Sequence, residues 1–140
     1  MALAGGGGAG NVAGSNPSGT GTSLNYVGRD PIHAYAYSGT IAITGSATTM
    51  LEFVTAEQYV LGELNFSGVW GNLGSSAVTM TLNINGEDTI VNTVANTSAR
   101  DVEGTPYPIL LPPFSKIIIS MSQASGSDRD FQATIVGRVY

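Results

Sequence analysis

The groups in this chain whose types and spacing could do chemistry together are acidic. Glu87-Asp88 follow an Asn-Gly dipeptide, Asp101 and Glu103 share a polar stretch, and Asp128 and Asp130 bracket Arg129. If two of these loops met, they could offer Ca²⁺ the about six to eight oxygens it takes. Apart, they are solvated loop charge, and Asp128-Arg129-Asp130 is local charge balance or an ion pair between subunits. His33 is the single histidine. It begins a strand pattern close to Pro31, which suits a structural role better than that of a general base. Without cysteine or a second histidine, zinc lacks its usual ligands. The run Gly5 to Gly8 is not followed by the Lys-Ser/Thr of a phosphate loop. The expectation is that no catalytic, cofactor-binding or metal site is present.

Two further patterns could carry recognition. Tyr35, Tyr37, Tyr59, Trp70, Tyr107 and Tyr140 could form a sugar platform, although aromatics at alternating strand positions usually pack in a core or a subunit interface. Tyr107, between Pro106 and Pro108, is the best candidate for exposure. Asn65-Phe66-Ser67 and Asn96-Thr97-Ser98 match glycosylation sequons, read as coincidence because no secretory signal is recognisable. The five cations, Arg29, Arg100, Lys116, Arg129 and Arg138, are scattered against ten acids, for a net charge of −5. Nucleic acid demands clustered cations, so direct contact with it is not expected. No apolar run approaches a membrane span. The expected history is synthesis and retention in a cytoplasm until something releases the chain, which suits a virion protein freed by lysis and an ordinary cytosolic protein alike.

These groups must be positioned by a small scaffold. A chain of 140 residues fits one domain. Only 11% of its residues are charged, against about 25% in average soluble domains. A surface with so little charge repels copies of itself weakly, which favours self-association. Residues 1–28 hold nine glycines and no charged residue. Such a segment is costly to order. The expected division is a flexible Gly-rich arm over 1–28, whose first 24 residues could span roughly 80 Å when extended, and a single sandwich domain over 29–140.

The domain reads as strands. From His33 to Thr44 the period is two, with Tyr35, Tyr37, Ile41 and Ile43 on one face and Ala34, Ala36, Ser38 and Thr40 on the other. Residues 48–54 predict a short second strand and 58–70 a long third. In the third, Gly62 and Gly68 point to bulges or close backbone approach. Val78, Met80, Leu82 and Ile84 alternate with polar residues up to Asn85-Gly86, which predicts a hairpin of 77–85 with 87–95 through a type I′ turn. The prolines around Ile109 to Leu111 place that piece at an edge or at a corner between sheets. Lys116 to Gln123 and Phe131 to Tyr140 complete about eight strands. The fold class is all-β, a two-sheet antiparallel β-sandwich, with a jelly roll the first topology and an immunoglobulin-like sandwich the second.

The Gly-rich arm, the low charge, the hairpin Leu82-Asn83-Ile84-Asn85-Gly86, the corner Leu111-Pro112-Pro113-Phe114 and a strand closing the sequence together resemble small structural proteins of tailed phages and other double-stranded DNA viruses, of the capsid decoration and head-fibre kinds. The chain is similar in style also to single jelly-roll modules of the tumour-necrosis-factor type, which form trimers. The resemblance implies a non-enzymatic virion subunit, a decoration or lattice protein that oligomerises, with a trimer favoured, and whose arm binds a neighbouring capsid protein. The alternatives are a receptor- or glycan-binding head of a fibre, and a self-polymerising extracellular filament.

Overall fold

The computed structural model describes residues 24–68, 77–95, 102–103, 106–124 and 129–140. Among them are eleven strands and no helix: β1 (Asn25–Val27), β2 (His33–Tyr37), β3 (Ile41–Ile43), β4 (Thr48–Val54), β5 (Val60–Gly68), β6 (Ala77–Ile84), β7 (Glu87–Ala95), β8 (Val102–Glu103), β9 (Tyr107–Leu111), β10 (Lys116–Gln123) and β11 (Arg129–Val139). All pair antiparallel, in two sheets. One runs β1-β2-β11-β5, with β3 also along β11 and with β8 and β9 along β5; the other runs β4-β10-β6-β7. Set β1 aside and count β2 with β3, and β8 with β9, as single strands. The eight principal strands then lie in the orders 1-8-3-6 and 2-7-4-5. That is the jelly roll.

Alternation explains most of the core between the sheets. Leu64 and Phe66 of β5, Ile117, Ile119 and Met121 of β10, and Phe131, Ala133 and Ile135 of β11 are buried while their neighbours face outward. In β4 the alternation breaks, since Met50 and Leu51 are both buried. The cause is a bulge: Leu51 opposes Ile119 and Thr49 opposes Ser120, which leaves Met50 as the extra residue. Gly62 and Gly137 face each other across β5 and β11. A Cβ on Gly62 would lie 2.5 Å from the Val136 oxygen, and one on Gly137 would lie 2.6 Å from the Leu61 oxygen. The close approach expected at Gly62 is therefore present, and its partner is a second glycine.

Two expectations about the first strands are corrected. The single strand from His33 onward is split at Ser38, where the Ser38 hydroxyl accepts the Ala133 N–H at 2.8 Å and donates to the Gly39 carbonyl at 2.7 Å. Gly39 takes φ 70°. Its inward face carries the small residues Ala34, Ala36 and Ser38, whereas Tyr37 is exposed and Tyr35 half-exposed. Bulk in that layer comes from the neighbours in register, Tyr26 beside Ala34 and Ile135 beside Ala36. The second correction concerns the arm. Residues 1–23 lie outside the described residues, but the last part of the segment assigned to 1–28 belongs to the sandwich: β1 pairs with β2, and Leu24 and Tyr26 are core residues. Four residues bounded by Gly28 are too short a window for period two to stand out.

The hairpin is as expected. Asn85 and Gly86 have φ 54° and 92°, the two positive angles that a type I′ turn requires. Asn85 uses its side chain as well: its amide donates to Ser115 Oγ at 3.1 Å and its Oδ1 accepts the Lys116 N–H at 2.9 Å. The turn of one sheet is thus tied to the segment that crosses from the other.

Candidate interaction site at one end of the sandwich

That crossing segment, Pro112 to Ser115, carries the chain from β9 in one sheet to β10 in the other. It is the expected proline corner, and β9 is an edge strand that among the described residues pairs only with β5. Thr55, just past β4 and 2% exposed, holds it. Its hydroxyl accepts the Ser115 N–H at 2.8 Å and donates to the Pro112 carbonyl at 2.6 Å. The Thr55 N–H reaches the Ser115 carbonyl at 2.9 Å. Ser115, itself 3% exposed, donates its hydroxyl to the Pro113 carbonyl at 3.1 Å. Every polar group so named is partnered within the corner, so the loop is fixed by bonds between distant parts of the chain.

Phe114 stands at the tip. Its φ of 52° is a left-handed conformation that a bulky side chain rarely adopts, and its side chain is 74% exposed. The Phe114 N–H is anchored to the Ala56 carbonyl at 2.9 Å. Both strain and exposure are unfavourable for the isolated domain, and backbone strain of this kind gathers at functional positions. The same end carries other exposed apolar groups. Tyr59 and Tyr140 exchange two backbone hydrogen bonds at 2.9 and 3.1 Å, and both side chains are exposed, as is Val54. Beneath them Tyr26 is buried, with its phenolic oxygen 3.4 Å from the Ala56 N–H. Burial pushes the Tyr26 phenol above its ordinary value of 10.0, and the contact with Ala56 opposes that.

A second apolar surface is the outer face of the larger sheet. Leu61 and Leu110 are direct partners across β5 and β9, and Tyr35 and Val136 across β2 and β11. Leu61, Leu110, Val136 and Tyr37 are all exposed. The Tyr35 and Tyr37 rings lie 5.2 Å apart at 35°. Exposed aromatic and aliphatic groups on a rigid support are the kind of residue enriched among interface anchors.

The other expected positions are dispersed. His33 is exposed at the start of β2. Tyr107 is not an exposed platform: it is half-buried, stacked edge-on against Phe66 with centroids 6.5 Å apart, and its hydroxyl accepts from the Asn92 amide. Asn65 sits within a central strand, which is no place for a sequon to be used. Asp88 is bonded to Asn83 at 2.9 Å, and among the described residues no three His, Asp, Glu or Cys side chains gather as a metal site. Trp70, Asn96, Arg100, Asp101 and Asp128 lie outside the described residues, as does the side chain of Glu103. Thr55 and Ser115 were not singled out from sequence, and Phe114 only as part of the proline corner. The proline corner was visible, but a positive φ at Phe114 has no signal in residue type.

No family model and no curated protein matches the sequence. Among solved structures, the fold is similar to part of infectious bursal disease virus VP2 in its subviral particle, with a TM-score of 0.51 and 13% identity, over 79% of this chain and 33% of that one. The chain thus spans about a third of the VP2 chain it matches. A second match is an exo-beta-1,3-galactanase from Phanerochaete chrysosporium, with a TM-score of 0.33 and 15% identity, over 89% of this chain and 25% of that one. At these identities the likeness to VP2 is one of fold. The class defined here is a jelly-roll sandwich with exposed apolar surfaces. Among the described residues no helix is long and apolar enough to cross a membrane.

Proposed function

We propose that the chain is a non-enzymatic structural subunit of a viral shell. It acts as a decoration or lattice protein, residing in the virion and self-associating there, and its N-terminal segment contacts neighbouring subunits. The observation that carries this reading is the jelly-roll strand order in a fold similar to that of the VP2 subviral-particle protein. Two features support it. Phe114, Tyr59 and Tyr140 present anchors at the clamped end, and a composition with 11% charged residues offers little to keep copies apart. The finer identity within that class, a phage decoration protein forming trimers, follows from the resemblance of sequence style.

The test is quantitative mass spectrometry of purified particles from the source of the chain. A structural subunit is present in many copies per particle, and absence from the particles refutes the reading. Deleting residues 1–22 separates arm from domain. Unfolding should stay cooperative at a similar temperature while incorporation falls; undiminished incorporation removes the arm from the proposal. The cut must stop before Leu24, since that side chain is fully buried and losing a core leucine costs about 2–5 kcal/mol.

A further inference from the structure

We infer that β7 is a docking edge for a second copy of this chain, and that two β7 strands pair antiparallel about a two-fold axis near Asn92 and Thr93 to join two four-stranded sheets into one. This deepens the self-association proposed above and rests on it.

The argument starts from the edges of the two sheets. An open strand edge presents a row of unpaired N–H and C=O groups, and proteins normally blunt such edges with short strands, prolines, charges or bulges. Three of the edges carry such a device. β1 is three residues long. β9 holds Pro108 and is flanked by Pro106 and Pro112. β4 is bulged at Met50 and carries Glu52, ion-paired to Lys116 at 3.0 Å.

β7 lacks them where it matters. It has nine residues, pairs with β6 on one side, and among the described residues pairs with nothing on the other. Its bulge, at Thr89 between the partners of Leu82 and Asn83, lies next to the turn. From Ile90 to Ala95 the register with β6 is regular, and that stretch has no charge, no proline and no glycine.

The occupant follows from propensity and charge. Residues 1–23 are a poor added strand, because Gly5 to Gly8, Gly10, Gly14, Gly19 and Gly21 weaken any ladder. Thr89, Ile90, Val91, Thr93 and Val94 are all β-branched, so β7 itself is an apt partner strand. Its acids, Glu87 and Asp88, sit at one end only. Parallel pairing would set them side by side with their copies; the antiparallel arrangement sends the two acid pairs to opposite ends. Alternation from the turn-flanking pair Ile84 and Glu87, corrected for the bulge, directs the N–H and C=O of Val91 and Thr93 outward, where the second copy would bond them.

The experiment uses the whole chain and two variants, Val91→Pro and Val91→Lys. Proline at 91 removes an outward N–H and leaves the β6 ladder donors in place, and lysine is a common guard of edge strands. Light scattering coupled to size exclusion gives the molar mass in multiples of 14.4 kDa, and hydrogen exchange is followed at the Val91 and Thr93 amides. The expected result is an even-numbered assembly with both amides protected. Either variant should at least halve the mass and speed exchange at Thr93 by about tenfold or more, with cooperative unfolding retained. Should Val91→Pro not fold, Val91→Lys alone decides. Fast exchange at both amides in the wild type overturns the proposal, and so does an assembly that both variants leave intact. If deleting residues 1–22 releases the amides without changing the mass, the N-terminal segment covers the edge instead. Absence of the chain from particles would refute the shell reading alone and leave a β7-joined dimer standing.

Discussion

Replacing Thr55 with Val tests whether the end of the sandwich is held by its polar clamp. The substitution keeps shape and removes the hydroxyl, which accepts the Ser115 N–H at 2.8 Å and donates to the Pro112 carbonyl at 2.6 Å. Thr55 and Ser115 are 2% and 3% exposed, so water cannot readily replace the lost partner. An orphaned buried N–H costs about 1–3 kcal/mol, and a lost hydrogen bond to the carbonyl adds about 1 kcal/mol. The expected destabilisation is about 2–4 kcal/mol. For a domain of this size about 4 °C of melting temperature corresponds to each kcal/mol, so Tm should fall by about 8–16 °C. Thr55→Ser keeps the hydroxyl and removes one methyl, for about 1 kcal/mol. Circular dichroism melts of the three proteins are the assay. A Thr55→Val melt within about 2 °C of wild type, or a Ser variant as damaged as the Val variant, would refute the clamp, since either result would mean that the hydroxyl contributes nothing beyond packing.

Other substitutions probe other layers. Gly86→Val should cost about 1–2 kcal/mol in urea denaturation, because φ is 92° although a Cβ there meets nothing within 4 Å; Gly86→Asn should cost less. Gly62→Ala should cost about 3 kcal/mol by the same measurement, because the new carbon would sit 2.5 Å from the Val136 oxygen and β5 would have to leave β11. Stability should also fall with rising alkalinity. Burial raises the Tyr26 phenol in the folded state, so its contribution is complete below the unfolded value of about 10 and is lost as pH rises through the folded value. The urea midpoint followed from about pH 8 to 11 should show that loss, and Tyr26→Phe should lessen it.

What could be read from sequence was what local rules govern. The strands β6, β10 and β11 have unbroken alternation, and Asn85-Gly86 names its own turn type, so hairpin, inward faces and the proline corner were all legible. Where residues adjacent in sequence answer to distant ones, legibility ended. Thr55 bonds to partners 57 and 60 positions away, and nothing in its neighbourhood marks it as more than a strand-end threonine. Tyr107 looked exposed between its prolines because the ring that covers it, Phe66, comes from another strand. Leu24 to Val27 looked like the tail of a glycine-rich segment because the pairing of Asn25 to Val27 with β2 is a property of the sheet. The choice of inward face in β2 likewise depended on neighbours, since Ala34 and Ala36 leave the room that Tyr26 and Ile135 occupy.

The jelly roll itself explains why the most constrained surface lies at a corner. Nested Greek keys join strands in opposite sheets, so the chain must repeatedly cross between them, and each crossing leaves backbone polar groups that no ladder satisfies. At Pro112 to Ser115 two of those groups go to prolines, which need no N–H partner. Others go to Thr55 and Ala56 just past β4 and to the Ser115 hydroxyl, while Asn85 of the β6–β7 turn binds that hydroxyl and the next N–H, of Lys116. A loop tied at so many places cannot relax Phe114 out of its left-handed conformation without breaking bonds elsewhere. The backbone at Phe114 is therefore held in one conformation, although its ring is 74% exposed. In the shell assembly proposed above, docking on this corner would cost little backbone freedom on this side, which is the condition under which a single exposed side chain can act as an anchor.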